Sequence, residues 1–221
     1  MKLFLEAVLK FSLGVILVGL LLFVPAGTVH WTNGWLYMAL QFIPMFVAGI
    51  IMIFTNPDLL RSRLKAKENR SRQSLVIRLS GLMYVAGYIL AGLNYRYCWL
   101  VLPHWVTIMA TVVFVIAYLL YGEVVRENTY LSRTIQVQKD QTVVDTGLYG
   151  IVRHPMYAVT LLLFLSVPLM LGSMISFLIF LVYPLIIRMR ILDEEKVLNR
   201  ELKGYPEYCR KVRYRLIPGL W

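Results

Sequence analysis

The run GLYGIVRHPMY (147–157) opens directly into YAVTLLLFLSVPLMLGSMISFLIFLVYPLII (157–187), 31 residues without a charge. The first stretch is polar and rich in turns. Pro155 pushes His154 out of the α region and itself opens a new helix at its first turn. The second stretch, drawn as one helix, is about 46 Å long, against a hydrocarbon core of about 30 Å. Gly172-Ser173 sits at its middle, so two short helices folded back at Gly172 are expected. Charge favours the same solution: nine Lys and Arg residues follow between Arg188 and Arg215. A single span would carry them outside, whereas a hairpin keeps them on the cytoplasmic side. Standing alone, the Arg153-His154 knot reads equally well as a basic membrane anchor. It does not stand alone.

The surrounding chain is of membrane composition. Its 221 residues are 59% hydrophobic and only 16% charged, with a mean hydropathy of +0.66, far from the roughly one quarter charged residues of soluble domains. A net charge of +11 could signal a nucleic-acid binder, but a membrane protein gathers Lys and Arg on its cytoplasmic side for topological reasons, and no nucleic-acid partner is expected. Cys98 and Cys209 have no Cys or His at ligand spacing, so neither a disulfide nor a metal is expected.

Four further apolar runs read as full spans. Phe11 to Val29 ends near His30 and Trp31, whose indole is expected at the headgroup level. A retained span is expected here rather than a signal peptide, because no small-residue cleavage site follows Leu22. Trp35 to Phe54 contains Gln41 and Pro44, which suggest a kink facing protein. Asn56-Pro57-Asp58 then breaks the helix, and Arg61, Arg63, Lys65, Lys67, Arg70, Arg72 and Arg78 mark a cytoplasmic loop. Leu79 to Leu93 continues through the aromatic cluster Tyr95-Arg96-Tyr97-Cys98-Trp99 to Leu102, with Arg96 snorkelling at the outer interface. A short turn at Pro103-His104 leads to Trp105–Tyr121.

The expected fold is therefore all-α and integral to the membrane: four transmembrane helices plus a C-terminal membrane hairpin, both termini cytoplasmic. Residues 1–125 form the N-terminal transmembrane part with its basic loop 55–78, and residues 126–221 form a core made of a polar segment, the knot, hairpin 157–187 and a charged helix and tail. Val143-Val144 is too short to argue a strand, so the polar segment reads as loop with some helix. No internal repeat is present.

Three polar sets converge on the cytoplasmic face by this topology: the knot, Arg190 with Glu194 and Glu195, and Tyr205 with Tyr208. Polar groups held at a membrane surface beside a break between helices point to a site. Arg190 and Glu194, at i and i+4, could equally be a surface ion pair worth a few tenths of a kcal/mol. Glu195 has no such partner in sequence, and adjacent carboxylates on one helix face different ways.

The run N-T-Y-x(4)-I-Q-V-Q-K-D-Q-x-V-V-D-T-G-L-Y-G-I-V-R-H-P-M-Y from Asn128, with R-I-L-D-E-E at 190–195 and G-Y-P-E-Y-C-R-K-V-R-Y-R-L-I-P at 204–218, resembles the isoprenylcysteine carboxyl methyltransferase family. The wider group includes phospholipid N-methyltransferases. The resemblance covers about residues 126 to 218, and N-P-D-L-L-x-x-R at 56–63 is similar to bacterial members. It implies methyl transfer from S-adenosyl-L-methionine to a lipophilic acceptor, an isoprenylcysteine-type carboxylate or a similar lipid-like molecule, at the cytoplasmic face of a bacterial or archaeal plasma membrane. It also implies that a cytosolic cap binds the cofactor without a Rossmann domain, which fits the lack of any G-x-G-x-x-G. By position, Gly147, Leu148 and Tyr149 would supply backbone groups to the cofactor. Arg153, His154 and Tyr157 would line its pocket, and Glu195 would reach a ribose hydroxyl or the amino group. Arg190 and Glu194 would be catalytic, and Arg190, Tyr205 and Tyr208 would bind the acceptor. Leu148 stands where the family usually has Pro.

Two other classes fit the same pattern. One is an NADPH-dependent membrane oxidoreductase like the sterol reductases, with its cofactor in the same pocket. The other is a small transporter or lipid-binding scaffold. The spans argue against transport, since Gln41 and Asn94 are among the few polar groups at bilayer depth and no pair of similar halves is present.

Overall fold

The computed structural model describes residues 2–64, 71–128, 130–131, 137–138 and 140–221. Of the basic loop, Lys65, Lys67 and Arg70 and the side chains of Arg63 and Arg72 lie outside the described residues, as do Arg133 and Lys139.

Among the described residues the secondary structure is helical, apart from an isolated bridge between Val101 and Ser173. Helices α1 (Lys2–Ala26) and α2 (Thr32–Thr55) are followed by a short α3 (Pro57–Leu64), then α4 (Ser71–Tyr97) and α5 (His104–Glu127). A 3-10 turn at Gly147–Gly150 leads into α6 (Pro155–Met170), α7 (Met174–Phe180), α8 (Tyr183–Glu201) and α9 (Tyr205–Lys211). Without water in the hydrocarbon, a spanning backbone must satisfy its own hydrogen bonds, so each apolar run becomes a helix.

The breaks follow from single residues. Gly27 ends α1 at φ +69, donating its N–H to the carbonyls of Phe23 and Val24, a conformation that suits glycine. Pro57, without an N–H, ends α2 and opens α3. Asn94 is 1% exposed and closes the α4–α5 turn from both sides: its Oδ1 accepts from the Leu100 N–H at 2.9 Å and its Nδ2 donates to the Leu100 carbonyl at 3.3 Å. Gly172, at φ +77, reverses the chain between α6 and α7. The Ser173 hydroxyl then caps α7 by accepting from the Ser176 N–H at 3.2 Å.

This last turn answers how deep the hairpin goes. The Leu102 N–H donates to the Gly172 carbonyl at 3.1 Å, and the Met174 N–H donates to the Leu100 carbonyl at 3.3 Å. The hairpin tip therefore reaches the same face as the α4–α5 turn. Its return limb, Met174–Glu201, is long and apolar enough to cross a membrane, as are Leu3–Ala26, Thr32–Thr55, Ser74–Tyr97 and His104–Glu127. Four spans with two short hairpin helices thus become five candidate spans beside a 16-residue α6.

The two faces differ in charge. Among the described residues Arg96 is the only Lys or Arg on the face that carries the tip and the α4–α5 turn. There its guanidinium lies 5.4 Å from the Tyr97 ring. Trp31, in the α1–α2 connection, faces protein: it is 2% exposed and stacks on Tyr95 at 4.9 Å. Trp35 is exposed, with its indole N–H on the Val29 carbonyl at 2.7 Å. The core centres on Leu22, Phe114, Val167, Met170, Phe180 and Ile186, between α1, α4, α5 and the hairpin.

Candidate active site

On the basic face, Pro155 starts α6 and leaves His154 extended, at φ −127 and ψ 60. This turns Arg153 and His154 back under the C-terminal tail. The Arg153 N–H donates to the Tyr214 carbonyl and the His154 N–H to the Arg215 carbonyl, both at 2.9 Å. The Arg153 guanidinium goes deeper, to Glu195 Oε1 at 2.8 Å and to the carbonyls of Val212 at 2.9 Å and Arg213 at 2.8 Å.

Glu195 is the centre of this cluster. Its Oε1 also meets His154 Nε2 at 3.3 Å, and its Oε2 accepts from Arg215 Nε at 2.8 Å. Both carboxylate oxygens are thus engaged inside the protein. The structure thus places Glu195, expected to reach a ribose hydroxyl or the amino group, against two guanidiniums and an imidazole.

Glu194 faces the other way. Its Oε2 accepts from the Tyr157 hydroxyl at 2.5 Å, and that hydroxyl accepts from Arg190 Nε at 2.8 Å. Arg190 also lies over the Tyr157 ring, 5.8 Å from its centroid. Arg190 and Glu194 are therefore bridged by a phenol from another helix, which a simple i,i+4 surface pair does not require.

These three side chains stand at one end of a cavity of about 730 Å³, within the usual ligand-pocket range of roughly 300–1,000 Å³. Arg153, His154, Tyr149, Tyr205 and Tyr208 line it on the tail side. From there it runs along α6 and α8 to Gln41 and Met45 of α2, Ser80 and Tyr84 of α4, and Tyr118 of α5. A charged end and membrane-depth walls thus share one space, with no clear signal in the sequence for Tyr84, Tyr118 or Tyr183.

Of the glycine turn, expected to supply backbone groups to a cofactor, Tyr149 lines the cavity. Gly147 and Leu148 do not line the cavity. The Leu148 N–H donates to the Glu127 carboxylate at 3.0 Å, and the Tyr149 N–H donates to the Thr146 carbonyl at 2.9 Å. Of these backbone donors, that of Leu148 fastens the knot to α5 and that of Tyr149 closes its own turn. Gly147 sits at φ +51, and a Cβ there would lie 1.3 Å from Glu127 Oε1. Gly147→Ala is accordingly expected to cost about 2 kcal/mol, combining left-handed strain with a lost charged hydrogen bond, and thermal melting measures it.

Tyr208 donates to the Tyr149 carbonyl at 2.7 Å, tying α9 to the knot. Burial pushes the phenols of Tyr205 and Tyr208 well above their ordinary value, so both remain neutral hydroxyls. Burial also raises the Cys209 thiol, which disfavours the reactive thiolate. Leu202, Tyr205, Tyr208 and Val212 form a second small core with Val137 and Val143 of the polar segment.

A ligand carrying both signs of charge beside an aromatic ring fits this end of the cavity, which is lined by the guanidinium of Arg190, the carboxylate of Glu194 and the aromatic side chains of Tyr157, Tyr205 and Tyr208.

Two comparisons with known proteins bear on this chain. The chain is 30% identical over 91 residues to the Delta(14)-sterol reductase TM7SF2 of Mus musculus, a match covering 40% of this chain and 22% of that protein. Residues 99–200 match the isoprenylcysteine carboxyl methyltransferase (ICMT) family. That range holds the α4–α5 turn, the knot, the whole hairpin and the Arg190–Glu195 face, and it stops before Tyr205 and Arg215. Over residues 99–200, the chain is thus similar to the isoprenylcysteine carboxyl methyltransferase family.

Proposed function

We propose that the protein transfers a methyl group from S-adenosyl-L-methionine to a lipophilic acceptor at the cytoplasmic face of its membrane. The observation that carries this reading is the single cavity joining the Tyr157–Arg190–Glu194 group to walls at membrane depth. An amphiphile can place its head among those charges and its tail among the spans. The cytoplasmic assignment rests on the basic residues clustered around the cavity mouth.

Bound there, S-adenosyl-L-methionine would supply an electrophilic methyl group on a sulfonium centre, a displacement that needs alignment and exclusion of water more than a strong acid or base. Arg190, steadied by the Tyr157 hydroxyl, orients a carboxylate acceptor, for which no base is required. With an amine acceptor, as in the phospholipid N-methyltransferases, Glu194 takes the proton. Tyr205 and Tyr208 close the cavity on the tail side. Arg153 and His154 line it while holding the tail over it through Glu195.

The test is a thermal-shift titration of detergent-purified protein with S-adenosylmethionine, S-adenosylhomocysteine and NADPH in parallel. A ligand at 100 times its dissociation constant stabilises by about 2.7 kcal/mol. Stabilisation by both adenosyl compounds is expected, and its absence in every detergent and lipid sinks the proposal. Arg190→Ala is expected to lower methyl transfer about 100-fold, the scale for one lost charge-stabilising donor, while leaving stabilisation by S-adenosylhomocysteine unchanged. Its loss in that variant would move Arg190 to the cofactor side.

The sterol-reductase similarity favours a second reading, an NADPH-dependent reductase using the same cavity. Stabilisation by NADPH but by neither adenosyl compound would select it.

A further inference from the structure

The membrane-depth half of the cavity is not plainly apolar. Tyr84 of α4 lines it, and its hydroxyl is buried with no hydrogen-bond partner among the described residues. The ring is fixed edge-on against Phe164 at 5.1 Å and Phe180 at 5.6 Å, so the hydroxyl has little freedom to turn away. The next tyrosine on the same helix face behaves differently: Tyr88 pairs its hydroxyl with that of Tyr37 at 2.5 Å. One turn nearer the basic face, Ser80 lines the same space, and Gln41 faces it from α2. Phenylalanine would fill the Tyr84 position equally well and spare the buried hydroxyl. A polar group at bilayer depth without a partner points to a ligand.

Its depth follows from helix geometry. The Tyr84 ring contacts Phe164, and Phe164 contacts Tyr183 at 4.9 Å, so the three side chains share one level. Phe164 follows Tyr157 on α6 by seven residues, and Tyr183 precedes Arg190 on α8 by seven. At 1.5 Å per residue both give about 10 Å from the charged end.

We propose that the acceptor is not a plain hydrocarbon chain but carries an oxygen function, a hydroxyl or carbonyl, about 10 Å along its apolar part, and that the Tyr84 hydroxyl binds it. The word acceptor rests on the methyl-transfer reading, whereas the subsite rests on the cavity alone. A site built to hydrogen-bond a substrate oxygen discriminates against the analogue lacking it, because its own polar group is then left unpaired.

The experiment uses two matched pairs of probes on the detergent-purified protein: octadecanoic acid with its mid-chain monohydroxylated derivative, and octadecylamine with its own. Affinities are read by titration calorimetry for wild type and Tyr84→Phe. In at least one pair, wild type is expected to bind the hydroxylated chain about tenfold more tightly, the worth of one hydrogen bond. Tyr84→Phe is expected to abolish that preference, leave the plain chain's affinity unchanged, and melt no lower than wild type. Equal binding within both pairs by wild type, no binding of either hydroxylated probe, or a preference that survives Tyr84→Phe overturns the proposal. S-adenosylhomocysteine is titrated into the same preparations. Failure of that binding with the Tyr84-dependent preference intact would remove the methyl-transfer reading and leave the subsite standing.

Discussion

Glu195→Ala is expected to destabilise the protein by about 3–5 kcal/mol, the range for stripping the partner from a buried charge. The side chains of Arg153 and Glu195 are 7% and 10% exposed, so water does not replace the lost carboxylate. Arg153 would keep its bonds to the Val212 and Arg213 carbonyls, but neither neutralises a guanidinium. Arg215 and His154 would lose the same anchor. Because Arg153 and His154 also hold the tail through backbone bonds to Tyr214 and Arg215, the damage should spread there first. Melting of detergent-purified protein, with trypsin cleavage after Arg213 and Arg215, reads both effects. Glu195→Gln keeps the shape and should cost less. Arg215→Ala, whose side chain is 31% exposed, should cost no more than about 1 kcal/mol. Equal losses from Arg215→Ala and Glu195→Ala would show that Glu195 is not the centre of the cluster.

Gly92→Val is expected to cost about 3 kcal/mol, the upper part of the usual range for overpacking. A Cβ on Gly92 would lie 2.5 Å from the Leu22 carbonyl oxygen and 3.0 Å from the Ala26 nitrogen. Both are backbone atoms of α1, so no rotamer change relieves the contact and the two helices must separate. In lipid little hydrophobic force draws helices together, and such close approach of backbones supplies much of the attraction. Few residues of α1 are fully buried in the protein, Leu22 and Ala26 beside this contact among them, so its loss weighs heavily on how α1 is held. The same change at Gly14 of α1, where nothing lies within 4 Å, should alter melting by no more than about 0.5 kcal/mol. If both variants melt alike, the Gly92 contact does not hold α1.

The spans were legible in the sequence because hydropathy and backbone hydrogen bonding leave an apolar run little choice inside a membrane. The reversal at Gly172 and the helix start at Pro155 were legible for local reasons, a length exceeding one crossing and a residue without an N–H. That the two carboxylates of α8 divide their roles was also readable, since neighbours on a helix point in different directions. Which of them is sealed was not: Glu195 is held by Arg215, 20 residues further on, brought back by a tail whose path no local pattern records.

Nor does hydropathy say which side of a span faces protein, because lipid and core are both apolar. Trp31 therefore looked like a lipid-facing anchor and is instead buried against Tyr95, and Tyr84 gave no hint that it lines the cavity with its buried hydroxyl unpartnered among the described residues. The sequence by itself determined four of the spans, the reversal at Gly172 and the polar knot, since these depend on length, charge and single residues, whereas the length of the return limb, Met174–Glu201, emerged only in the structure. Tertiary structure alone decided which groups are sealed and which line the cavity, since that depends on contacts between helices far apart in the chain.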